Sequence, residues 1–337
     1  MALKADAYGH GAPAVAHAAL AAGATQLGVA AMSEVHQLRA AGVDAPTIMW
    51  GPLIGDEWAA AAATSCEIAL WTPESVHAAA SAGIRRVHLK LDSGMGRLGA
   101  RPEAVGALAD AAAAADVEVV GLMTHFATSD ETEGENAGFM VEQLVRFRSL
   151  IAPLRERFPN AIVHAANSAA TLRSAETHFD MVRCGIATYG CDPFGHDPDA
   201  HDLRPVMSLH SYLSSVKPIL GRESVGYGRR WRAARGTWIG AVPVGYADGY
   251  PRAYANNAQV LVGGRRVPVV GMVSMDQITV DLGPEATDAV GDEVVLLGVQ
   301  GNERLMAEEL ARWRQTISYE VTCAIGPRVP RDPISVT

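Results

Sequence analysis

Short apolar runs alternate with alanine-rich stretches from the start of the chain to about residue 190. Eight of the runs are predicted strands, at residues 2–4, 26–31, 46–51, 67–71, 86–92, 117–126, 162–167 and 181–190. Helices are predicted between them at residues 14–22, 33–41, 56–64, 73–82, 102–115, 135–157 and 168–175. Continuous apolar strands separated by helices are typical of a buried parallel sheet.

Eight such strands favour a TIM-type (β/α)8 barrel over an open doubly wound sheet. A doubly wound dinucleotide fold usually has five or six strands, and it carries GxGxxG in its first strand–helix turn. The matching spacing here, GMGRLG at residues 94–99, follows the fifth predicted strand instead. Because the first predicted strand is short, we expect it to be truncated at its N-terminal side.

The last third of the chain changes pattern after a polar linker near residues 197–204. Strands are predicted at residues 206–215, 237–244, 259–262, 266–273, 277–282 and 293–297, with one helix at residues 306–314. Gly263 and Gly264, between two strand runs, predict a hairpin turn. We therefore predict a barrel domain over residues 1–203 and a C-terminal mainly-β domain over residues 204–337.

Composition and charge narrow the class of protein. Apolar residues make up 49% of the chain and charged residues 19%, which predicts a globular protein with a substantial core. The net charge of -9 argues against a nucleic-acid partner. The four cysteines are scattered without metal-ligand spacing, and no apolar run reaches the ~18 residues of a membrane span. We expect a cytoplasmic enzyme with reduced thiols, no metal site and no membrane partner.

Polar residues collect where the predicted barrel strands end, and barrel active sites are built at the C-terminal ends of strands. These residues are Lys4, Tyr8, Lys90, Arg97, His125, Asn167, Ser168 and Arg183. Taken singly, several have structural explanations: Arg97 as a surface ion pair, His125 as a core histidine, and Ser168 as a helix N-cap. Arg183 lies in an apolar strand, where a buried guanidinium needs a partner. Together they predict an active site.

The β domain carries three unusual stretches: GYG at residues 226–228, GYADGY at 245–250 and SMDQ at 274–277. Tyrosines flanked by glycine are expected on exposed loops. A glycine-kinked hairpin with solvent-exposed tyrosines is the structural alternative to a functional role for Tyr227, Tyr246 and Tyr250.

Seven motifs in one order resemble the alanine racemase family. They are KADAYGHG at residues 4–11, GMGRLG at 94–99, THFA at 124–127, ANSAA at 166–170, VRCGIA at 182–187, GYADGY at 245–250 and SMDQ at 274–277. The resemblance implies a barrel that binds pyridoxal 5'-phosphate (PLP), followed by a β domain. It also implies a homodimer in which each active site combines one subunit's barrel with the other's β domain.

The resemblance implies catalytic roles for two residues on opposite faces of the cofactor. Lys4 would attach PLP covalently and act as one base, and Tyr227 of the partner subunit would act as the other. His125 would lie beside that tyrosine and near Arg183, which would donate to the pyridine nitrogen. An arginine stays protonated, so the ring would remain neutral, which suits racemisation better than transamination or decarboxylation.

The remaining contacts are implied in the same way. The phosphate of PLP would be held by Tyr8, the hydroxyl of Ser168 and the backbone N–H groups of Gly185 and Ile186, and Asn167 would also bind the cofactor. Substrate would be bound by Arg97, Met275 and Tyr246, with Tyr246 and Tyr250 narrowing the entrance. Lys90 matches a position that is often carbamylated. Pro327 is a departure, because the family commonly has a tyrosine there against the phosphate.

The implied activity is interconversion of L-alanine and D-alanine, supplying D-alanine for peptidoglycan. A racemase of broader amino-acid specificity on the same scaffold is the first alternative. A decarboxylase is disfavoured because it should carry a carboxylate in place of Arg183. A PLP-binding regulatory or carrier protein is the third alternative, and the β domain with Tyr227 argues against it.

Overall fold

The computed structural model of the protein describes residues 1–334; the end of the predicted β domain, residues 335–337, lies outside the described residues. Contacts divide the chain into two compact units, Met1–Thr188 and a second that begins at Tyr189. The boundary that we predict between residues 203 and 204 lies further along the chain and stays a prediction.

The first unit is built on six parallel strands that follow one another in chain order across a single sheet. They are β1 (Leu27–Val29), β2 (Thr47–Met49), β3 (Glu67–Leu70), β4 (Arg86–Lys90), β5 (Glu118–Met123) and β6 (Ile162–His164). Nearly every residue in them is buried, because helices cover one face of the sheet and the other faces the barrel interior.

Two further segments close this sheet into a barrel. Ala2 forms a parallel bridge with Gly28 on β1, and Met181 forms one with His164 on β6. The Ala2 N–H donates to the Cys184 carbonyl at 2.8 Å, which joins the two segments. The prediction of a TIM-type barrel is therefore confirmed, although the strands predicted at 2–4 and 181–190 are reduced to these bridges.

Helices connect the strands of the first unit in the predicted order. They are α1 (Lys4–Tyr8), α2 (Ala12–Ala21), α3 (Met32–Ala40), α4 (Glu57–Ala63), α5 (Pro73–Ala82), α6 (Val105–Ala114), α7 (Phe139–Arg157) and α8 (Ser168–Arg173). Local capping explains several of the ends: the Thr72 hydroxyl accepts from the Ser75 N–H at 3.1 Å, and Gly83 adopts the left-handed conformation that ends α5.

The second unit is mainly β, as predicted, and its strands pair antiparallel. Its strands are β7 (Leu209–Tyr212), β8 (Ser215–Ile219), β9 (Ser224–Val225), β10 (Trp231–Arg232), β11 (Thr237–Val242), β12 (Gln259–Val262), β13 (Arg265–Pro268), β14 (Ile278–Gly283), β15 (Glu293–Gln300) and β16 (Glu303–Leu305). The predicted hairpin is confirmed, because β12 and β13 pair across Gly263 and Gly264. Two helices follow, α9 (Ala307–Arg314) and α10 (Ser318–Cys323).

Four of these strands, β8, β9, β10 and β16, were not predicted, and neither was α10. The strands β9, β10 and β16 have only two or three residues, and such short runs carry no periodic signal. No helix within residues 1–334 is long and apolar enough to cross a membrane. The four cysteines are all free thiols in the described chain.

Candidate active site

Lys4 begins α1, which is a single turn of left-handed helix. Ala5 has φ 54° and ψ 50°, and Asp6 and Ala7 have nearly the same values. This conformation costs roughly 1–2 kcal/mol for each L-residue other than glycine. Strained backbone of this kind persists where surrounding contacts hold it, and it is concentrated at functional sites.

Two carboxylates hold the strained turn. Glu34, in the first turn of α3, accepts from the Ala5 N–H at 2.5 Å. Asp6 accepts from the Ala12 N–H at 2.7 Å, which ties the turn to the start of α2. Sequence reasoning missed both residues, since neither carboxylate belongs to a pattern that predicts a left-handed turn.

Lys90 and Arg97 belong to the segment that follows β4. Lys90 is buried at the strand end, with its ammonium group 5.9 Å from the centre of the Trp71 ring. The loop that leads to Arg97 is held by Asp92, whose Oδ1 accepts from the Gly94 and Gly96 N–H groups at 2.9 and 3.1 Å. Burial lowers the pKa of Lys90 to about 8, and the charges of Arg183, Arg97 and Lys4 contribute.

Arg183 is buried, and its guanidinium is held entirely by neutral groups. Nη2 donates to the carbonyls of Thr124 and Ala165 at 2.6 and 3.0 Å, and Nη1 donates to His164 Nδ1 at 2.9 Å. Arg183 forms no ion pair within residues 1–334. Burial lowers the pKa of Arg183 to about 10, so the side chain is still protonated at neutral pH.

His125 lies among the cationic groups of the barrel mouth. Its Nδ1 atom is 3.4 Å from Nη2 of Arg183. Burial lowers the pKa of His125 to about 3, and the positive charges of Arg183, Lys4, Lys90 and Arg97 act in the same direction. Five residues predicted from four strand ends are therefore brought together, and the imidazole among them is neutral.

Ser168, Gly185 and Tyr8 form a second cluster at the strand ends. The Ser168 hydroxyl accepts from the N–H groups of Gly185 and Ala187 at 2.9 and 3.2 Å. A β-carbon added at Gly185 would stand 2.4 Å from the Tyr8 hydroxyl, so only glycine permits this close approach. Ile186 follows in the same turn and is fully buried.

Asn167 is the N-cap of α8, and Ser168 is not. The Oδ1 atom of Asn167 accepts from the Ala170 N–H at 3.0 Å and from the Ser129 hydroxyl at 2.9 Å. The structural explanation that we considered for Ser168, helix capping, therefore applies to its neighbour. The Ser168 hydroxyl instead accepts from the backbone N–H groups of Gly185 and Ala187.

The second unit carries its own open cavity of about 720 Å³. Tyr227, Tyr246 and Met275 all line it, as do Arg252 and Arg314, which sequence reasoning missed. Tyr227 lies in a turn between Gly226 at φ 72° and Gly228 at φ 67°, and 75% of its surface is exposed. A turn in which two glycines adopt positive φ and present a tyrosine to solvent agrees with the exposed loop that the sequence predicts.

Tyr250 corrects one expectation. We predicted it beside Tyr246 at an entrance, but it is only 2% exposed and packs on Tyr254 with ring centres 4.6 Å apart. Burial raises the pKa of its phenol. Tyr250 is therefore a core residue of the second unit, and of these two tyrosines Tyr246 alone lines the cavity.

The segment around Pro327 is tied to two of the motif loops. Arg328 pairs with Asp276 at 2.8 Å and with Asp248 at 3.4 Å. Pro327, which departs from the family pattern, is thus followed directly by Arg328, which bridges the GYADGY and SMDQ stretches. Among residues 1–334, no group of three or more histidine, cysteine or acidic side chains is arranged to hold a metal ion.

The fold and the site together define a class of two-domain protein. The strand ends of its barrel bring four cations, Lys4, Lys90, Arg97 and Arg183, around the neutral imidazole of His125. An antiparallel unit that exposes Tyr227 follows. Residues 1–193 match the family described as alanine racemase, N-terminal domain, and residues 206–333 match alanine racemase, C-terminal domain. The chain belongs to the alanine racemase family, which confirms the resemblance seen in the motifs.

Individual relatives agree with this assignment. The chain is 44% identical to the alanine racemase of Symbiobacterium thermophilum over 98% of this chain and 88% of that protein. It is 42% identical to that of Cutibacterium acnes over 98% of this chain and 89% of that protein. The crystal structure of alanine racemase from D-cycloserine-producing Streptomyces lavendulae superposes with a TM-score of 0.91 at 38% identity, covering 100% of this chain and 90% of that one.

Proposed function

We propose that this protein interconverts L-alanine and D-alanine with PLP as its cofactor, and that it supplies D-alanine for peptidoglycan in the cytoplasm. We further propose a homodimer in which each site joins the barrel mouth of one subunit to Tyr227, Tyr246 and Met275 of the other. Membership of the family supports the reaction, and the residues at the barrel mouth support the cofactor.

The observation that carries the proposal is the environment of Arg183. Nη1 and Nη2 make all the hydrogen bonds of this guanidinium within residues 1–334, so Nε–H and the second N–H of Nη1 are the donors left for a ligand. A permanently charged donor with no carboxylate beside it suits a ring nitrogen that must stay unprotonated. Enzymes that need a protonated ring would require an acid at this position.

The residues present fit the phosphate of PLP. The Tyr8 hydroxyl and the Ser168 hydroxyl both lie next to Gly185, whose lack of a β-carbon permits the approach of Tyr8. We assign the phosphate to these hydroxyls, to the Ile186 N–H, and to the Gly185 N–H once the phosphate replaces the Ser168 hydroxyl as its acceptor. Backbone N–H groups at the start of a turn bind anions without a basic side chain.

PLP, when bound, supplies the electron-withdrawing ring that stabilises the negative charge left when an amino acid loses its α-proton. Lys4 holds the cofactor and moves a proton at the α-carbon on one face. Tyr227 of the partner subunit moves a proton at the same carbon on the other face. Racemisation needs both, because a proton removed from one face must be replaced from the opposite one.

His125 prepares the tyrosine for this role. Arginine only donates hydrogen bonds, so the nitrogen that faces Arg183, Nδ1, accepts and the proton lies on Nε2. Nε2–H is then a donor for the phenolate of Tyr227 of the partner subunit. An unperturbed tyrosine has a pKa of about 10, and hydrogen-bond donors and cations around a phenolate lower the pKa of a tyrosine.

The substrate carboxylate is assigned to Arg97 and to the backbone of Met275 of the partner subunit, with Tyr246 beside them. Lys90 and Arg97 interact electrostatically, since the charge of Arg97 helps to lower the pKa of Lys90. A carbamate on Lys90 would replace one cation of the cluster with an anion that Arg97 can bind. We therefore retain carbamylation as part of the proposal.

The test is incubation of purified protein with L-alanine and PLP in D₂O. We expect D-alanine to appear with deuterium at the α-carbon, and we expect Lys4→Ala and Tyr227→Phe to lose at least about a thousandfold in rate. Circular dichroism would show that both variants remain folded. A parent protein that binds PLP but exchanges no α-proton would favour the regulatory or carrier alternative.

Substrate breadth is the second question. Tyr250 is buried, so of the two tyrosines expected to narrow the entrance only Tyr246 lines the cavity. The same D₂O assay with L-serine and larger amino acids separates an alanine enzyme from a racemase of broad specificity. Comparable kcat/KM for several substrates would establish the broader alternative.

A further inference from the structure

A continuous line of hydrogen bonds crosses the barrel interior from Arg183 to Glu67. Arg183 Nη1 is 2.9 Å from His164 Nδ1, His164 Nε2 is 2.9 Å from His88 Nδ1, and His88 Nε2 is 2.9 Å from Glu67 Oε2. Both imidazoles are fully buried and Glu67 is 4% exposed. We call these four residues the interior chain. Only Arg183 had a predicted role.

The two ends of the interior chain determine the direction of every bond in it. A guanidinium only donates and a carboxylate only accepts, while a neutral imidazole has one donor and one acceptor nitrogen. His164 must therefore accept at Nδ1 and donate from Nε2, and His88 must do the same. Burial, together with the charge of Arg183, lowers the pKa of both histidines, in agreement with neutral rings.

Glu67 is anchored at the far end of the interior chain, where β3 begins. Its Oε1 atom accepts from Arg86 Nε at 2.8 Å, and its Oε2 atom also accepts from the Gln26 amide. Burial raises the pKa of Glu67, but the hydrogen bonds from His88 and Arg86 outweigh it and the net shift is downward. The carboxylate is therefore ionised, as the direction of the bonds requires.

The strand between the two histidines is shaped to let them meet. β5 runs between β4, which carries His88, and β6, which carries His164. Its residue beside His88 is Gly121, where a β-carbon would stand 1.9 Å from His88 Nδ1. The rings meet edge to face, with centres 5.0 Å apart and planes at 89°. The interior chain is thus accommodated by the backbone as well as by side chains.

We propose that Glu67, His88 and His164 are positioning residues that orient the Arg183 guanidinium toward the cofactor ring. The two imidazoles separate the charge of Arg183 from the Glu67 carboxylate. The inference rests on the proposed function only in naming what Arg183 binds. A carboxylate in direct contact would draw the guanidinium away from a ligand. In the interior chain the two neutral imidazoles orient the guanidinium through hydrogen bonds instead. The Glu67 carboxylate is the last acceptor of that series.

The first test is read on the unsubstituted protein and needs no cofactor. Full-length protein labelled with ¹⁵N-histidine is examined by NMR between pH 6 and 8, with His164→Asn and His88→Asn used for assignment. We expect both rings to be neutral, with the proton on Nε2 and an unprotonated Nδ1. A charged ring, or a proton on Nδ1 of either one, would overturn the interior chain whether or not the protein is a racemase.

The second test is Glu67→Gln. Arg86 only donates, so it retains the amide oxygen and turns the amide NH₂ toward His88. Both rings must then exchange their protonated nitrogens, which sets His164 Nδ1–H against the Nη1–H of Arg183.

For Glu67→Gln we expect the ¹⁵N pattern of both histidines to change, and kcat for alanine to fall about tenfold with KM nearly unchanged. We also expect a larger share of turnovers to end in transamination and a shifted absorbance spectrum of bound PLP.

The matched control is Glu118→Gln. Glu118 also pairs with Arg86, at 3.1 Å, but it is exposed and lies off the interior chain. We expect its histidine spectrum, kcat and bound-cofactor spectrum to match those of the parent. If Glu67→Gln and Glu118→Gln behave alike in all three measurements, Glu67 has no positioning role. Inactivity of the parent itself would instead refute the proposed function and leave the histidine spectrum to decide.

Discussion

Gly121 lies against His88 so closely that a β-carbon at residue 121 would stand 1.9 Å from the Nδ1 atom of the imidazole. The two residues are register partners on neighbouring barrel strands. The same β-carbon would be 3.0 Å from Nε2 of His164. This glycine therefore has a steric role inside the barrel, although its backbone conformation does not require glycine.

Gly121→Ala should overpack this space. We expect the free energy of unfolding to fall by about 1–3 kcal/mol, measured by urea denaturation of the cofactor-free protein. Gly106→Ala is the matched control, because its β-carbon would meet nothing within 4 Å on α6. Helix propensity predicts a gain of about 0.5–1 kcal/mol there. Equal stability of the two variants would contradict the steric role of Gly121.

Loss of the Tyr8 hydroxyl should weaken cofactor binding. A hydrogen bond to a charged group contributes roughly 1.5–3 kcal/mol, so we expect Tyr8→Phe to raise the Kd for PLP by about 10- to 150-fold. Gly185→Ala should have a similar effect, since its β-carbon would displace the same hydroxyl. Titration of the cofactor-free protein with PLP, followed by absorbance, measures both. An unchanged Kd in Tyr8→Phe would remove Tyr8 from the phosphate site.

Shared active sites predict complementation between inactive variants. Lys4→Ala and Tyr227→Phe, mixed and allowed to exchange subunits, should form heterodimers with one intact site each. Random pairing gives about a quarter of the parent activity per site. Lys4→Ala mixed with Arg183→Ala is the control, because both changes lie in the barrel mouth and no intact site can form. Recovery in neither mixture would argue that Tyr227 serves its own subunit.

Acid should destabilise the protein through its buried histidines. Burial holds the pKa of His88, His125 and His164 below the usual value, near 3 for His125. The unfolded chain therefore binds more protons below about pH 6.5. The free energy of unfolding should fall with decreasing pH by up to about 1.4 kcal/mol per pH unit for each of them.

Urea denaturation at several pH values between 5 and 8 measures this slope. We expect His164→Gln to reduce it, because one buried group that must stay neutral has been removed. His77→Gln, on the exposed surface of α5, is the control and should leave the slope as in the parent. A steeper slope in His164→Gln would contradict the assignment of neutral buried rings.

Lys90 should react with carbon dioxide. Its pKa of about 8 leaves part of the amine neutral near physiological pH, and a neutral amine adds CO₂ to give a carbamate and one proton. With ¹³C-bicarbonate we expect one carbamate signal by NMR that grows from pH 6.5 to pH 8.5. Lys90→Arg should abolish it, whereas Lys217→Arg, an exposed change on β8, should not. A carbamate signal that persists in Lys90→Arg would show that another amine carries the modification.

Much of this molecule could be predicted from the order of residues along the chain. Alternation of apolar runs with alanine-rich helices predicted the barrel, and the change after residue 204 predicted the β unit, because burial on both faces of a strand leaves a local signature. Lys4, His125 and Arg183 were singled out because each follows or interrupts an apolar strand. Carboxyl ends of parallel strands meet at one edge, so their proximity followed from topology alone.

Other features depended on contacts between distant segments. Tyr250 carries the same glycine-flanked pattern as an exposed loop residue, yet it packs on Tyr254 in the core. The left-handed turn that follows Leu3 is composed of ordinary L-residues, and the carboxylate of Glu34 helps to hold it. Neither outcome has a local signature, since the neighbours that decide it are supplied by folding.

The interior chain shows the same limit most clearly. His88 and His164 are separated by 76 positions, and each alone looks like a polar interruption in a buried strand. The sequence by itself placed both residues in predicted strands of a barrel. Only the tertiary structure decided which of them meet, because strand register and the missing side chain at Gly121 set the distances across the interior, and hydrogen bonds form only where those distances allow.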